Sequence, residues 1–290
     1  MSDLVLVALA GFVASLVDGA LGMGFGPTSS TILLGTGLSP AAVSTTVNLA
    51  KVATGITAAI SHWRFENIDH RLVVHMAVPG CIGAGVGVTV LANVDGDQLR
   101  PMLAALLLAI GLRILVRFSR AMTATAVDTS EAGAPPSFDV PGVEVAAAAG
   151  GVTNGLVGAW GPVVTPFLLH RGLPPRYAIG SVNTAEVAVA VVASGSLLAS
   201  IGGDGIDVGI VIAMLLGGMV ASPLSAWVIK FLPARVLGLA VAGLLLSTNV
   251  RELAGWGGLG AERWFVYAAI VPALAVAALR PRWQSRKLSN

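Results

Sequence analysis

Runs of apolar residues alternate with short polar connectors along almost the whole chain. Seven runs approach the length of a membrane-crossing helix: about 40–61, 71–94, 98–117, 175–199, 207–229, 233–250 and 264–280. Such a helix needs about 20 apolar residues. Two further apolar regions, 4–35 and 145–170, are interrupted near the middle by glycine. The breaks are Gly19-Ala-Leu-Gly-Met-Gly-Phe-Gly-Pro27 and Gly155-Leu-Val-Gly-Ala-Trp-Gly-Pro162. Their flanking arms, roughly 9–15 residues long, are too short to span a bilayer at about 1.5 Å per residue. The pattern predicts an all-α, polytopic membrane protein with two broken helices. The stretch 119–143 is rich in Ser, Thr, Pro and Gly and reads as a flexible linker between two halves.

The halves repeat. Gly37-Leu-Ser-Pro40 matches Gly172-Leu-Pro-Pro175, and Thr46-Val-Asn-Leu-Ala-Lys-Val52 matches Ser181-Val-Asn-Thr-Ala-Glu-Val187. Seven of 17 positions are identical between 36–52 and 171–187 without a gap. Asn67-Ile-Asp69 answers Gly205-Ile-Asp207. Internal repeats of this kind mark secondary transporters.

Composition strengthens the membrane reading. Only 11% of residues are charged and 55% are hydrophobic, against about 25% charged in soluble domains. This excludes a soluble enzyme and a nucleic-acid module. The basic pI reflects loops and a C-terminal tail carrying Arg280, Arg282, Arg286 and Lys287, the segments that orient a membrane protein. One cysteine, Cys81, excludes an internal disulfide and a Cys-rich metal site. Leu4–Val17 follows Asp3 with no preceding Lys or Arg, so it reads as mature fold rather than a cleaved signal.

Charge placement bears on topology. With the tail cytoplasmic, Lys230/Arg235 and Arg171/Arg176 fall inside and Asp204/Asp207 outside. If 145–170 is a re-entrant hairpin, Arg113/Arg117/Arg120 and the His62–Arg71 loop are also inside, and Asp95/Asp97 are outside. The expected architecture is two inverted repeats, each a hairpin plus three spanning helices, with one extra C-terminal helix. Its boundaries are 1–118, a cytoplasmic linker at 119–143, 144–250, and a terminal helix and basic tail at 251–290. A 4+4 arrangement with complete first helices is the alternative.

Charges deep in a bilayer are costly and functional by default. Asp18, Lys51 and Glu186 sit far from any expected helix end. Lys51 and Glu186 occupy equivalent places in the repeats, each three residues after an asparagine, Asn48 and Asn183. Lys51 could attract an anion, with Glu186 or Asp18 taking up a proton. Alternatively, Lys51 and Glu186 could form an ion pair that fixes the halves together.

Gly26-Pro27 and Gly161-Pro162 look like helix starts, because proline suits a first turn. A helix broken within the membrane presents free N–H groups to an anion. The candidate binding residues are therefore Gly24, Gly26, Pro27, Thr28, Ser29, Asn48, Lys51, Trp160, Gly161, Pro162, Val163 and Asn183. Glu186 and Asp18 are the candidate proton carriers. Trp160 and Phe25, at matching positions, could wall a gate or fill packing. Gly11, Gly80, Gly83, Gly85 and Gly87 read as helix-crossing residues, and His62, Trp63 and Arg64 as interfacial anchors. No zinc-protease HExxH, Walker A or other cofactor motif occurs, so no cofactor or metal is expected.

The run Asp18-Gly-Ala-Leu-Gly-Met-Gly-Phe-Gly-Pro27, Gly37-Leu-Ser-Pro40 and Ser61-His-Trp-Arg-Phe-Glu-Asn-Ile-Asp69 resemble the TauE/SafE family of sulfite and organosulfonate exporters. Gly151 to Asp207 looks like its second repeat. The resemblance implies transport of small sulfur oxyanions, such as sulfite or sulfoacetate, across a bacterial inner membrane. It alone supplies sulfur. The residues independently ask for a small anion. A passive anion channel, or a membrane-embedded subunit without transport, are the other readings of the same residues.

Overall fold

The computed structural model describes residues 2–21, 23–119, 138–201, 207–228 and 234–258. Ten helices and no strand occur among them: α1 Ser2–Leu21, α2 Phe25–Gly35, α3 Pro40–Arg64, α4 His70–Asn93, α5 Gly96–Ser119, α6 Val143–Val157, α7 Gly161–His170, α8 Pro175–Ile201, α9 Val208–Val228 and α10 Ala234–Trp256. The expected helix at 264–280 lies outside the described residues.

Local chemistry sets the helix ends. Gly37 (φ 93°) and Gly172 (φ 87°) follow α2 and α7 at equivalent repeat positions; left-handed backbone there favours glycine. Ser39 caps α3, its Oγ accepting the Ala42 N–H at 3.2 Å, with Pro40 in the first turn. Asp69 and Asp207 each cap the next helix: Asp69 accepts from Leu72 and Asp207 from Gly209. Asp69 is also tied to the second half. Its other oxygen accepts the Phe138 N–H at 2.7 Å, and its own N–H donates to Ser181 Oγ at 3.0 Å.

Four helices, α4, α5, α8 and α10, are long and apolar enough to cross a membrane. The 25-residue α3 is long enough, but its Ser, Thr, Asn48 and Lys51 lower its hydropathy. Val74, Val78, Ile82 and Val86 form an exposed stripe at one-turn spacing along α4, the surface that lipid rather than water would cover. One expectation needs correcting. The arms of the second break, α6 and α7, have 15 and 10 residues, but the first break divides α1, with 20, from α2, with 11. Asp18 lies inside α1, which runs on through the Gly19-Ala-Leu segment instead of stopping there.

Each half is thus a broken pair followed by three helices, and packing joins the halves. α4 packs mainly on α6, α1 on α9, α3 on α8 and α5 on α10. The first two pairings exchange when the halves are exchanged, as a pseudo-twofold relation requires. Glycines bring these backbones together. A Cβ on Gly83 would lie 2.1 Å from Ala148 O, and one on Gly151 2.0 Å from Gly80 O. On the other side, Gly11 meets Met214 O and Gly217 meets Ala8 O in the same way. Gly85 has open space instead, so it takes no part in a crossing.

Candidate functional site

The two breaks touch. A Cβ on Gly26 would lie 1.7 Å from Gly158 O, so only glycine at position 26 allows this contact. Ser30 Oγ donates to Val157 O at 2.7 Å, and Ser44 Oγ donates to Gly155 O at 2.6 Å. Carbonyls at the end of α6, which have no intrahelical partner, are therefore satisfied by hydroxyls from α2 and α3.

The start of α2 is mostly closed to an external anion. Phe25 N–H donates to Asp18 Oδ1 at 3.2 Å, Pro27 has no N–H, and Thr28 N–H donates to Gly24 O at 3.1 Å. Asp18 thus supplies the negative charge favoured at a helix N-terminus. In α7, Val163 and Val164 N–H both turn back to Trp160 O, and Pro162 has no N–H, leaving that of Gly161. The hydroxyls of Thr28, Ser29 and Thr165 are buried in the first turns of α2 and α7 without a partner among the described residues. Buried polar groups are normally paired, so these mark polar capacity unused in this conformation.

Two of the three interior charges pair where α3 meets α8, and the third, Asp18, acts on them through its field. Lys51 Nζ pairs with Glu186 Oε1. Asp18 interacts electrostatically with Lys51, and Glu186 with both. Lys51 is 7% exposed. With all three ionised the cluster sums to one negative charge. In this conformation Lys51 is engaged by Glu186 and is not free for an anion.

The other candidates are distributed differently from a single shell. Asn48 does not meet Asn183. It pairs with Asn154: Asn154 Nδ2 donates to Asn48 Oδ1 at 2.7 Å, and Asn48 Nδ2 donates to Asn154 O at 3.2 Å. Asn183 Nδ2 lies 3.4 Å from His62 Nε2; His62 is partly buried while Trp63 stays exposed. Trp160 is wholly buried, its indole N–H donating to Val182 O at 3.1 Å and its ring packed against Gly80 and Gly150. Phe25 is buried too.

Asn154, Ser30 and Ser44 were missed by sequence reasoning. Asn154 sits one residue before the glycine break, an amide within an apolar run, and that was the available signal.

A cavity of about 430 Å³ opens beside the breaks. Its wall includes Met23 before α2, Pro162 and Pro166 of α7, and Arg113, Arg117 and His170. Arg117 Nη1 lies 3.2 Å from Met23 Sδ, and its guanidinium stands over the Phe118 ring.

A family model described as "Sulfite exporter TauE/SafE" matches residues 7–251. A Bacillus subtilis (strain 168) protein named "Probable membrane transporter protein YtnM" is 35% identical over 276 residues, covering 93% of this chain and 89% of its own length. No solved structure gave a significant match.

Proposed function

The chain belongs to the sulfite exporter TauE/SafE family of membrane transporters, and from that membership we propose a secondary exporter of a small sulfur oxyanion. The cargo is sulfite or a short organosulfonate such as sulfoacetate, and its movement is coupled to protons in a bacterial inner membrane. The halves 1–118 and 144–250 act as inverted repeats about the contact between the breaks. The 119–143 linker and the C-terminus face the cytoplasm.

One observation carries this reading: Lys51 and Glu186 pair at the α3–α8 junction within the field of Asp18, which caps the broken helix α2. With Lys51 held by Glu186, the cluster's negative charge repels an anion. A proton on Glu186 removes that charge and releases Lys51. The ammonium can then attract an anion held by the hydroxyls of Thr28 and Ser29 and by Gly26 N–H, with α7's Gly161–Val163 turn opposite. Anion occupancy and proton occupancy are thereby linked. Separation of Gly26 from Gly158 opens room for the anion, as one set of elements rocks against the other.

The test is flux from proteoliposomes of sulfite, sulfoacetate, sulfate and acetate under imposed pH gradients. Sulfite or sulfoacetate should move with saturation, and the gradient should change the rate. Glu186→Gln should abolish that response. Non-saturating flux insensitive to pH would establish a passive channel. No movement of any sulfur anion would overturn the substrate class.

A further inference from the structure

We propose that Arg113 and Arg117 of α5, with His170 of α7, form a second anion site that captures a small organic dianion outside the helix breaks. Its role as an entry site rests on the transport reading above, but its binding does not.

Arginines that only orient a membrane protein extend from helix ends toward headgroups and water. These two also line a recess, Arg117 half-buried in the last turn of α5 and Arg113 exposed one turn before it. They are one helical turn apart on α5 and therefore share a face, and each adds to the other's electrostatic field. Among the described residues no carboxylate lines the recess and neither arginine has an ion-pair partner. Arg117 is half-buried, set against the thioether sulfur of Met23 and the ring of Phe118. Both leave guanidinium N–H donors available for an oxyanion. Like charges held together, one of them half-buried, gain most from a ligand carrying the opposite charge twice.

The recess also leads to the right place. Met23 immediately precedes Gly24, the cap of α2, and Pro162 stands in the first turn of α7. Its inner wall is therefore made by the two breaks themselves. A volume of about 430 Å³ lies in the usual small-ligand range and exceeds what a bare oxyanion needs. The geometry suits a short carbon chain with an oxyanion at each end: one head on each guanidinium, with the linker against Ile110, Ile114 and Pro166.

Calorimetric binding to the purified full chain tests this, with sulfoacetate as the two-headed probe and methanesulfonate as the one-headed probe. Sulfoacetate should bind about tenfold or more tightly than methanesulfonate. Arg113→Gln and Arg117→Gln should each reduce sulfoacetate affinity to the one-headed level. Arg117→Lys keeps the charge without the fork and should fall between. Arg251→Gln, on exposed α10 surface, should bind as the parent does. Monodisperse elution shows that each variant is folded.

Equal affinity for the two probes, or Gln variants that bind sulfoacetate normally, would overturn the site. Binding that depends on both arginines in a protein that moves no sulfur anion would sustain the site and sink the transport reading. Flux whose KM is unchanged in both Gln variants would sustain transport and sink the entry role.

Discussion

At the residue scale, the buried Lys51–Glu186 pair bears on stability as well as on the proposed transport role. Removing one member of a buried pair leaves the other charge unsolvated, which costs about 3–5 kcal/mol, whereas replacing both with apolar residues is often neutral. Lys51→Met and Glu186→Met should each lower thermal stability in detergent strongly, and the double variant should recover most of the loss. All three should lack anion flux. A double variant as unstable as the worse single one would show that the two residues act separately. Their partnership was partly legible beforehand. The repeat spacing places Lys51 opposite Glu186, and an interior charge seeks a partner. The fate of the asparagines was not legible. Asn48 and Asn183 share a repeat position, yet one faces Asn154 and the other His62. Sequence equivalence does not reveal which neighbour a pseudo-symmetric pair will find.

At the element scale, the breaks depend on backbone meeting backbone. Gly26→Ala would place a methyl group on the Gly158 carbonyl, forcing α2 away from α6. Overpacking of this kind costs about 1–3 kcal/mol or more, and here it also disturbs the Ser30 and Ser44 bonds to α6. Folded yield and flux should both fall. Gly85→Ala, with open space around it, should match the parent in melting temperature. Equal behaviour of the two variants would dismiss the contact. The Gly-Pro steps announced helix starts, and α2 and α7 begin there. The length of α1 was misjudged because glycine at 19 signals a stop only in isolation. Helix continuation is decided by tertiary packing, here against α9.

At the scale of the whole molecule, the charge pattern makes a topological statement. A reporter tag in the 119–143 linker should be protected from reagents outside intact cells and become reactive after permeabilisation. A tag labelled from outside would invalidate the inverted arrangement. The all-helical, multi-span class was legible because few residues can face lipid. The basic recess was not. Arg113 and Arg117 look like ordinary orienting charges until α7 and Met23 are brought beside them, and nothing local in the chain announces that neighbour.

The exchange of helix partners between halves also constrains how the protein is made. α1 and α4 are synthesised early, but the surfaces that cover their glycine faces belong to α9 and α6. The nascent first half must wait in the bilayer with those faces uncovered until the second half arrives. Its assembly is therefore completed late, by docking rather than by growth. Separately encoded segments 1–118 and 138–290 should each be degraded when expressed alone and accumulate when expressed together, read by immunoblot. A first segment that accumulates unaided would show that it matures without its partner.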